Sequence, residues 1–222
     1  MSRRQAKDAV FEQFARIGKA LSSPKRLELL DLLAQGERSV EALARTANLN
    51  VTTTSAHLQA LKQARVVATR RVGTKVFYRL AGRDVAELYL QIQRVAEHHL
   101  PDLGEARVNF LGPDDTDEVG REEVRRRVRA GDVIVIDVRP EEEFAGGHLP
   151  GAKSFPLDQL AARLAELPTG VDVIAYCRGP YCVLSYDAVR LLHAHGRTAR
   201  RLADGILEWQ AADLPVESAD VA

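Results

Sequence analysis

Residues 171–185 read Val171-Asp172-Val173-Ile174-Ala175-Tyr176, then Cys177-Arg178-Gly179-Pro180-Tyr181-Cys182, then Val183-Leu184-Ser185. The first six form an apolar run that predicts a strand. The next six, with Gly179 and Pro180 side by side, predict a loop, and a helix follows. A tight turn entering a helix aims backbone N–H groups inward, and the helix N-terminus adds partial positive charge. Arg178 adds a full one. A sulfur at the centre of that bowl favours the thiolate, so Cys177 is the candidate nucleophile. The plainer alternative is a buried structural thiol. Cys182 reads equally as a second redox thiol or as a small residue at the helix entrance.

Working outward, the apolar strand Val133–Val138 follows a helix over Glu122–Ala130, and further helices are expected over Leu157–Leu167 and Val183–His195. Strands alternating with helices predict an α/β domain, a parallel sheet flanked by helices. Cys177 then stands at the carboxyl end of a parallel strand, where open sheets place their sites.

Four motifs in order resemble the rhodanese family of sulfurtransferases. They are the cysteine loop itself; Val133-Ile134-Val135-Ile136-Asp137-Val138-Arg139; Glu143-Phe144 with Gly147-His148-Leu149-Pro150-Gly151-Ala152; and Leu202-Ala203-Asp204-Gly205-Ile206-Leu207-Glu208-Trp209 with Leu214-Pro215-Val216. The resemblance spans roughly residues 115 to 217. It implies that Cys177 carries a transferable sulfur as a persulfide and that Arg178 binds thiosulfate or sulfite. It also implies that the backbone through Gly179, Pro180, Tyr181, Cys182 and Val183 cradles the outer sulfur. Related phosphatases and arsenate reductases end a longer loop in Arg. Here that position is Val183, which leaves a phosphate or arsenate without its bidentate cation. Asp137, Arg139, Glu143 and His148 read as a network bracing the loops near the site.

The chain has 222 residues and zero formal net charge, but the charge is unevenly spread. Residues 1–100 hold 17 Lys+Arg and 9 Asp+Glu, so 17 − 9 = +8; the remainder hold 14 and 22, so 14 − 22 = −8. A basic half and an acidic half indicate two modules, of which the basic one suits nucleic acid. No run of about 18 apolar residues predicts a membrane span. The first residues lack the apolar core of a signal peptide. Two cysteines do not make a disulfide scaffold, and a reducing cytoplasm is the expected location.

The basic half predicts helices over residues 8–22, Lys25–Ala34, Val40–Thr46 and about Val51–Gln63, with Ser22-Ser23-Pro24, Gly36, Ser39 and Asn50 as punctuation. Two short helices joined by a tight turn make a helix-turn-helix. On the second of them Thr54, Leu58 and Leu61 face inward. Thr52, Thr53, Ser55, Ala56, His57, Gln59, Lys62 and Gln63 offer small or hydrogen-bonding groups for a major groove, although His57 reads as well as a helix-holding residue. Strands Val66–Arg71 and Lys75–Leu80 form a hairpin whose tip carries Arg70, Arg71 and Lys75, suited to phosphates.

Here the runs Ala20-Leu21-Ser22-Ser23-Pro24-Lys25-Arg26-Leu27, Thr52-Thr53-Thr54-Ser55-Ala56-His57-Leu58-Gln59-Ala60-Leu61 and Gly73-Thr74-Lys75-Val76-Phe77-Tyr78-Arg79-Leu80 resemble the ArsR family of winged-helix repressors, over about residues 10 to 100. Ala56 and Val51 depart from the family's usual outer-face residues. A long helix over Arg83–His99 has apolar positions at three- and four-residue steps. The resemblance implies a homodimer through the first and fifth helices. No metal site is expected: the third helix carries no cysteine, and neighbouring His98 and His99 point about 100° apart.

The reading is therefore two domains. Residues 1–100 form a mainly-α winged helix-turn-helix for DNA binding and dimerisation, 101–114 a linker, and 115–222 a rhodanese-like α/β domain. The expected function is a DNA-binding transcriptional repressor that senses or carries sulfane sulfur as a Cys177 persulfide. The alternative is a thiosulfate or persulfide sulfurtransferase with a DNA-binding regulatory domain. Expected partners are a double-stranded operator, small sulfur donors (thiosulfate, polysulfide, persulfide) and a second copy of the chain. No cofactor and no membrane are expected.

Overall fold

The structure, a computed structural model, describes residues 1–113 and 115–218. It divides into two units, Met1–Gln91 and Ile92–Ala222.

In the first unit, helix α1 spans Arg3–Leu21, α2 Pro24–Ala34, α3 Val40–Thr46 and α4 Val51–Gln63, and helix α5, Arg83–His99, starts in the first unit and from Ile92 on belongs to the second. Strands β1 (Arg38–Ser39), β2 (Val67–Val72) and β3 (Lys75–Leu80) form an antiparallel sheet in the order β1-β3-β2. Helix α1 begins five residues before the expected start. Ser2 Oγ accepts from Gln5 N while the Gln5 side chain accepts from Ser2 N, a reciprocal cap that nucleates an extra turn. Ser39 caps α3 and Asn50 caps α4 in the same way, each accepting from the backbone three residues on. In the wing, Val72 pairs with Lys75 across Gly73-Thr74. Gly73 sits at φ +58°, a backbone angle that side chains resist. Leu29, Leu30, Leu43, Leu58, Leu61 and Tyr78 form the core. Each such leucine contributes about 1.5–3 kcal/mol by leaving water.

The second unit contains α6 (Asp102–Leu111), β4 (Glu118–Val119), α7 (Arg121–Ala130), β5 (Val133–Asp137), α8 (Glu141–Gly146), β6 (Lys153–Ser154), α9 (Leu157–Leu160), β7 (Asp172–Tyr176), α10 (Val183–Ala194), β8 (Ala199–Leu202) and α11 (Ile206–Ala211). Its five strands are all parallel, in the order β4-β8-β7-β5-β6. Successive residues of β7 serve opposite faces. Val173, Ala175 and then Cys177 join one core with Ala188, Val189 and Leu192 of α10. Ile174 and Tyr176 join the other, with Val135, Leu202 and Trp209. The chain leaves β5 toward β6 on one side and later β7 toward β8 on the other, so the carboxyl ends of β5 and β7 flank the switch point of the sheet.

Two expectations are corrected. The helix expected over 157–167 stops at Leu160, and only a single 3-10 turn, Leu164–Glu166, follows. Pro168 cannot donate to the turn before it and holds Leu167 extended (φ −84°, ψ 125°). The Arg197 guanidinium donates to the carbonyls of Leu164, Leu167 and Pro168. The linker at 101–114 is mostly helix α6, despite Gly104 within it. Its end is tied down rather than solvated: Leu111 is buried, and Arg190 donates to the carbonyls of Leu111 and Pro113 and pairs with Asp115. Of the acidic residues that follow, Asp115, Asp117 and Glu118 are exposed. Thr116 is buried and Glu118 pairs with Arg201, while Asp114 lies outside the described residues.

Candidate functional sites

On α4, Thr54, Leu58 and Leu61 are fully buried, which turns Thr52, Ala56, Gln59 and Lys62 to solvent. Thr53, Ser55 and His57 are half-buried at the flanks. Two side chains expected to be open for contact are engaged within the fold. Gln59 Nε2 donates to the Tyr78 hydroxyl at 3.0 Å, anchoring α4 to β3. Arg70 forks onto Glu37, its Nε 3.0 Å from Oε2 and its Nη2 also on that oxygen. This partner holds the guanidinium above its ordinary pKa and offsets its charge at the wing. Arg71 bends back to the Gly73 carbonyl at 3.2 Å, and Lys75 is exposed beside the wing tip. Among the described residues no three His, Cys, Asp or Glu side chains group to hold a metal. No described helix is long and apolar enough to cross a membrane.

The cysteine loop leaves β7 at the sheet's carboxyl edge. Its two sulfurs are joined: Cys177 and Cys182 form a disulfide with Cα atoms 6.2 Å apart. The structure shows the oxidised pair, whereas the thiolate expected at Cys177 belongs to the reduced protein. Both cysteines are buried, at 2 % and 8 % exposure. The helix terminus belongs to the second cysteine, since Cys182 is the N-cap of α10 and Val183 its first residue. The amide cradle is narrower than expected. Pro180 has no N–H, and Cys182 N donates to Gly179 O at 3.1 Å within the loop.

Arg178 is also placed otherwise than expected. Its Nε and Nη2 lie 3.0 and 2.7 Å from the two oxygens of Glu143, which is buried. A bidentate pair with a desolvated carboxylate offsets most of the charge that an anion would meet. Glu143 lies on α8, and before that helix Asp137, the last residue of β5, and Arg139, just beyond the strand, form a second forked pair with no solvent exposure on either side chain. Arg139 also donates to Gly147 O at 2.7 Å, and His148 Nδ1 lies 2.9 Å from Phe144 O, so α8 and the turn after it are fastened together.

Two contacts at the loop were missed in the sequence. Ile206 N donates to Cys177 O at 3.2 Å, and Gly205 lies so close that a Cβ there would come within 2.2 Å of the Arg178 carbonyl and 2.3 Å of Gly179 N. The start of α11 is thus the floor of the loop. The Tyr181 hydroxyl, between the two cysteines, donates to Glu97 Oε1 on α5 at 2.7 Å. Burial, reinforced by that carboxylate, pushes the Tyr181 phenol well above its usual range, so it stays a donor. Glycine in a loop-to-helix motif signals the first contact. No local signal marks the second, since Glu97 lies 84 residues away.

A model of the rhodanese-like domain matches residues 120–212, and a model of bacterial regulatory proteins of the arsR family matches residues 23–69. The chain is 52% identical over 211 residues, 95% of its length, to the HTH-type transcriptional regulator Rv0324 of Mycobacterium tuberculosis, covering 93% of that protein. The chain belongs to the ArsR family of transcriptional regulators and carries a rhodanese-like domain. Over 45% of its length this regulator is also 32% identical to a sulfurtransferase of Allochromatium vinosum, covering 92% of it. A solution structure of the homodimeric winged helix-turn-helix DNA-binding domain (fragment 1–100) of Mb0332 from Mycobacterium bovis is 54% identical. It covers 45% of this regulator and 91% of that fragment, with a TM-score of 0.42.

Proposed function

We propose that this regulator grips a palindromic operator as a cytoplasmic homodimer, and that sulfur arriving at Cys177 changes its hold on DNA. The observation that carries this reading is the Tyr181–Glu97 hydrogen bond. Tyr181 rides on the loop closed by the two cysteines, and Glu97 lies near the end of α5, a helix that begins at Arg83 in the DNA-reading unit. A change at the sulfurs alters the loop, and the loop is bonded to that helix.

The test is operator affinity of the reduced protein before and after polysulfide treatment. Wild type is expected to change by about tenfold or more, equivalent to about 1.4 kcal/mol, and Cys177→Ser not at all. Equal affinity of treated and untreated wild type would remove the reading. Tyr181→Phe is expected to keep sulfur transfer to Cys177 yet to shrink the affinity change to about twofold or less, since it deletes the hydroxyl that donates to Glu97.

The dimer reading rests on Val10, Phe11 and Phe14 of α1 and Leu88 and Val95 of α5, all exposed. Side chains of this size open to water on two helices suit a two-fold interface, with operator half-sites about one helical turn apart. Phe14→Glu is expected to sediment as a monomer at micromolar concentration and to bind the operator at least about tenfold more weakly. A dimer of unchanged stability would refute that interface.

The likeness to a sulfurtransferase favours a second reading, in which the domain turns over. Repeated sulfur transfer from thiosulfate to cyanide or a thiol distinguishes an enzyme from a sensor that loads once.

A further inference from the structure

We propose that Cys182 is the resolving nucleophile of the loop. It attacks the inner sulfur of a Cys177 persulfide, expels hydrogen sulfide and closes the Cys177–Cys182 bond, so that the domain reduces sulfane sulfur to sulfide. The inference rests on the reading that Cys177 accepts such a sulfur.

The geometry supplies each requirement. The two sulfurs are within bonding reach, and their Cα separation of 6.2 Å lies inside the range that disulfides adopt. The backbone holds that approach from both ends. Ile206 N anchors the Cys177 carbonyl, Gly205 presses on Arg178 and Gly179, and Cys182 N closes onto Gly179 O. An attacking group fixed beside its target acts at an effective concentration of about 10⁵ M or more. No external thiol matches that at a sulfur buried to 2 % exposure. Cys182 is also the N-cap of a twelve-residue helix, whose terminal partial charge favours its thiolate. Hydrogen sulfide is a stronger acid than an alkyl thiol, so the outer sulfur is the better leaving group and attack falls on the inner one.

The steps balance. The Cys177 thiolate attacks the sulfane sulfur of thiosulfate; the sulfur–sulfur bond of the donor breaks, and sulfite leaves with the electron pair. The Cys182 thiolate then attacks Cys177 Sγ; the bond from Sγ to the outer sulfur breaks, and that sulfur leaves with the pair. The two thiol protons depart on sulfide. Two thiols are oxidised to a disulfide and one sulfane sulfur is reduced to sulfide, with no other oxidant. A dithiol reductant resets the loop.

The experiment uses the full-length regulator, reduced with dithiothreitol, desalted without air and mixed with thiosulfate or sodium tetrasulfide. Intact mass and released sulfide are followed. Wild type is expected to lose two hydrogen atoms and to release about one sulfide per chain. Cys182→Ser and Cys182→Ala should instead hold one added sulfur, with sulfide yield at least about tenfold lower. Cys177→Ser should do neither. The proposal is overturned if wild type accumulates the added sulfur as the Cys182 variants do, if those variants release sulfide as fast, or if Cys177→Ser still releases it. Should a variant fail to fold, the ratio of sulfide to disulfide in wild type still decides: a ratio near one supports resolution, and disulfide without sulfide refutes it. If Cys182→Ser, folded by near-UV circular dichroism, gains no sulfur and wild type is unchanged, the parent reading of Cys177 fails and the resolving step falls with it.

Discussion

Arg139→Ala is expected to destabilise the rhodanese-like unit by about 3–5 kcal/mol, the usual result of stripping a buried ion of its partner. Asp137 and Arg139 have no solvent exposure. Four hydrogen bonds tie them: Nε to Oδ1 at 2.9 Å and to Oδ2 at 3.1 Å, Nη2 to Oδ2 at 2.5 Å, and the Arg139 backbone N–H to Oδ1 at 3.0 Å. Alanine keeps the backbone bond and removes the rest, so a carboxylate is left in a dry interior with its charge uncompensated. The Gly147 carbonyl loses its donor at the same time, and with it the turn that follows α8 loosens. Urea denaturation followed by tryptophan fluorescence measures this directly. The chain has one tryptophan, Trp209, which is buried in this unit with Nε1 bonded to Pro215 O at 2.8 Å. Adding Asp137→Asn should recover part of the loss, because it neutralises the stranded charge. A single variant as stable as wild type would show that the pair contributes no more than a surface bridge.

Gly205→Ala is expected to cost about 1–3 kcal/mol by overpacking and to cut sulfur loading of Cys177 about tenfold or more. The glycine is not there for its backbone angle: its φ of −121° suits any residue. It is there for space. A methyl group would overlap the Arg178 carbonyl and Gly179 N, which are backbone atoms and cannot rotate away. The loop has to lift off α11, which breaks the bond from Ile206 N to Cys177 O and carries Cys177 away from Cys182. Sulfide released after thiosulfate reads the chemical effect, and the melting temperature of the Trp209 signal reads the structural one. Normal loading by a stable Gly205→Ala protein would show that the floor of the loop does not position the cysteine.

Much of the architecture was legible in local pattern. Helices α3, α4 and α5 and strand β3 begin and end where spacing and punctuation place them, because Ser39 and Asn50 cap, and Thr54, Leu58 and Leu61 recur at helical steps. Helix α6 was not legible. It is short, it contains Gly104, and it is held by residues far along the chain: Arg107 reaches Tyr186, and Arg190 reaches back to Leu111. Tertiary contact overrode weak propensity there. Leu157–Leu167 failed the opposite way, since a helical pattern ran up against Pro168 and Arg197 drew its last carbonyls outward.

At the candidate site, residue type and order were enough to mark Cys177, Cys182 and the loop between them, because a strand, a glycine-bearing loop and a helix in succession put a thiol at a sheet's carboxyl edge wherever they occur. Which groups those residues meet was decided by the fold. Arg178 is taken by Glu143 and Arg70 by Glu37, while Tyr181 is turned to Glu97 and the two sulfurs to each other. Periodicity and capping act over a few residues, so they are written in the chain. A guanidinium or a thiol bonds to whatever the topology brings within about 3 Å, and that partner can lie anywhere in the sequence.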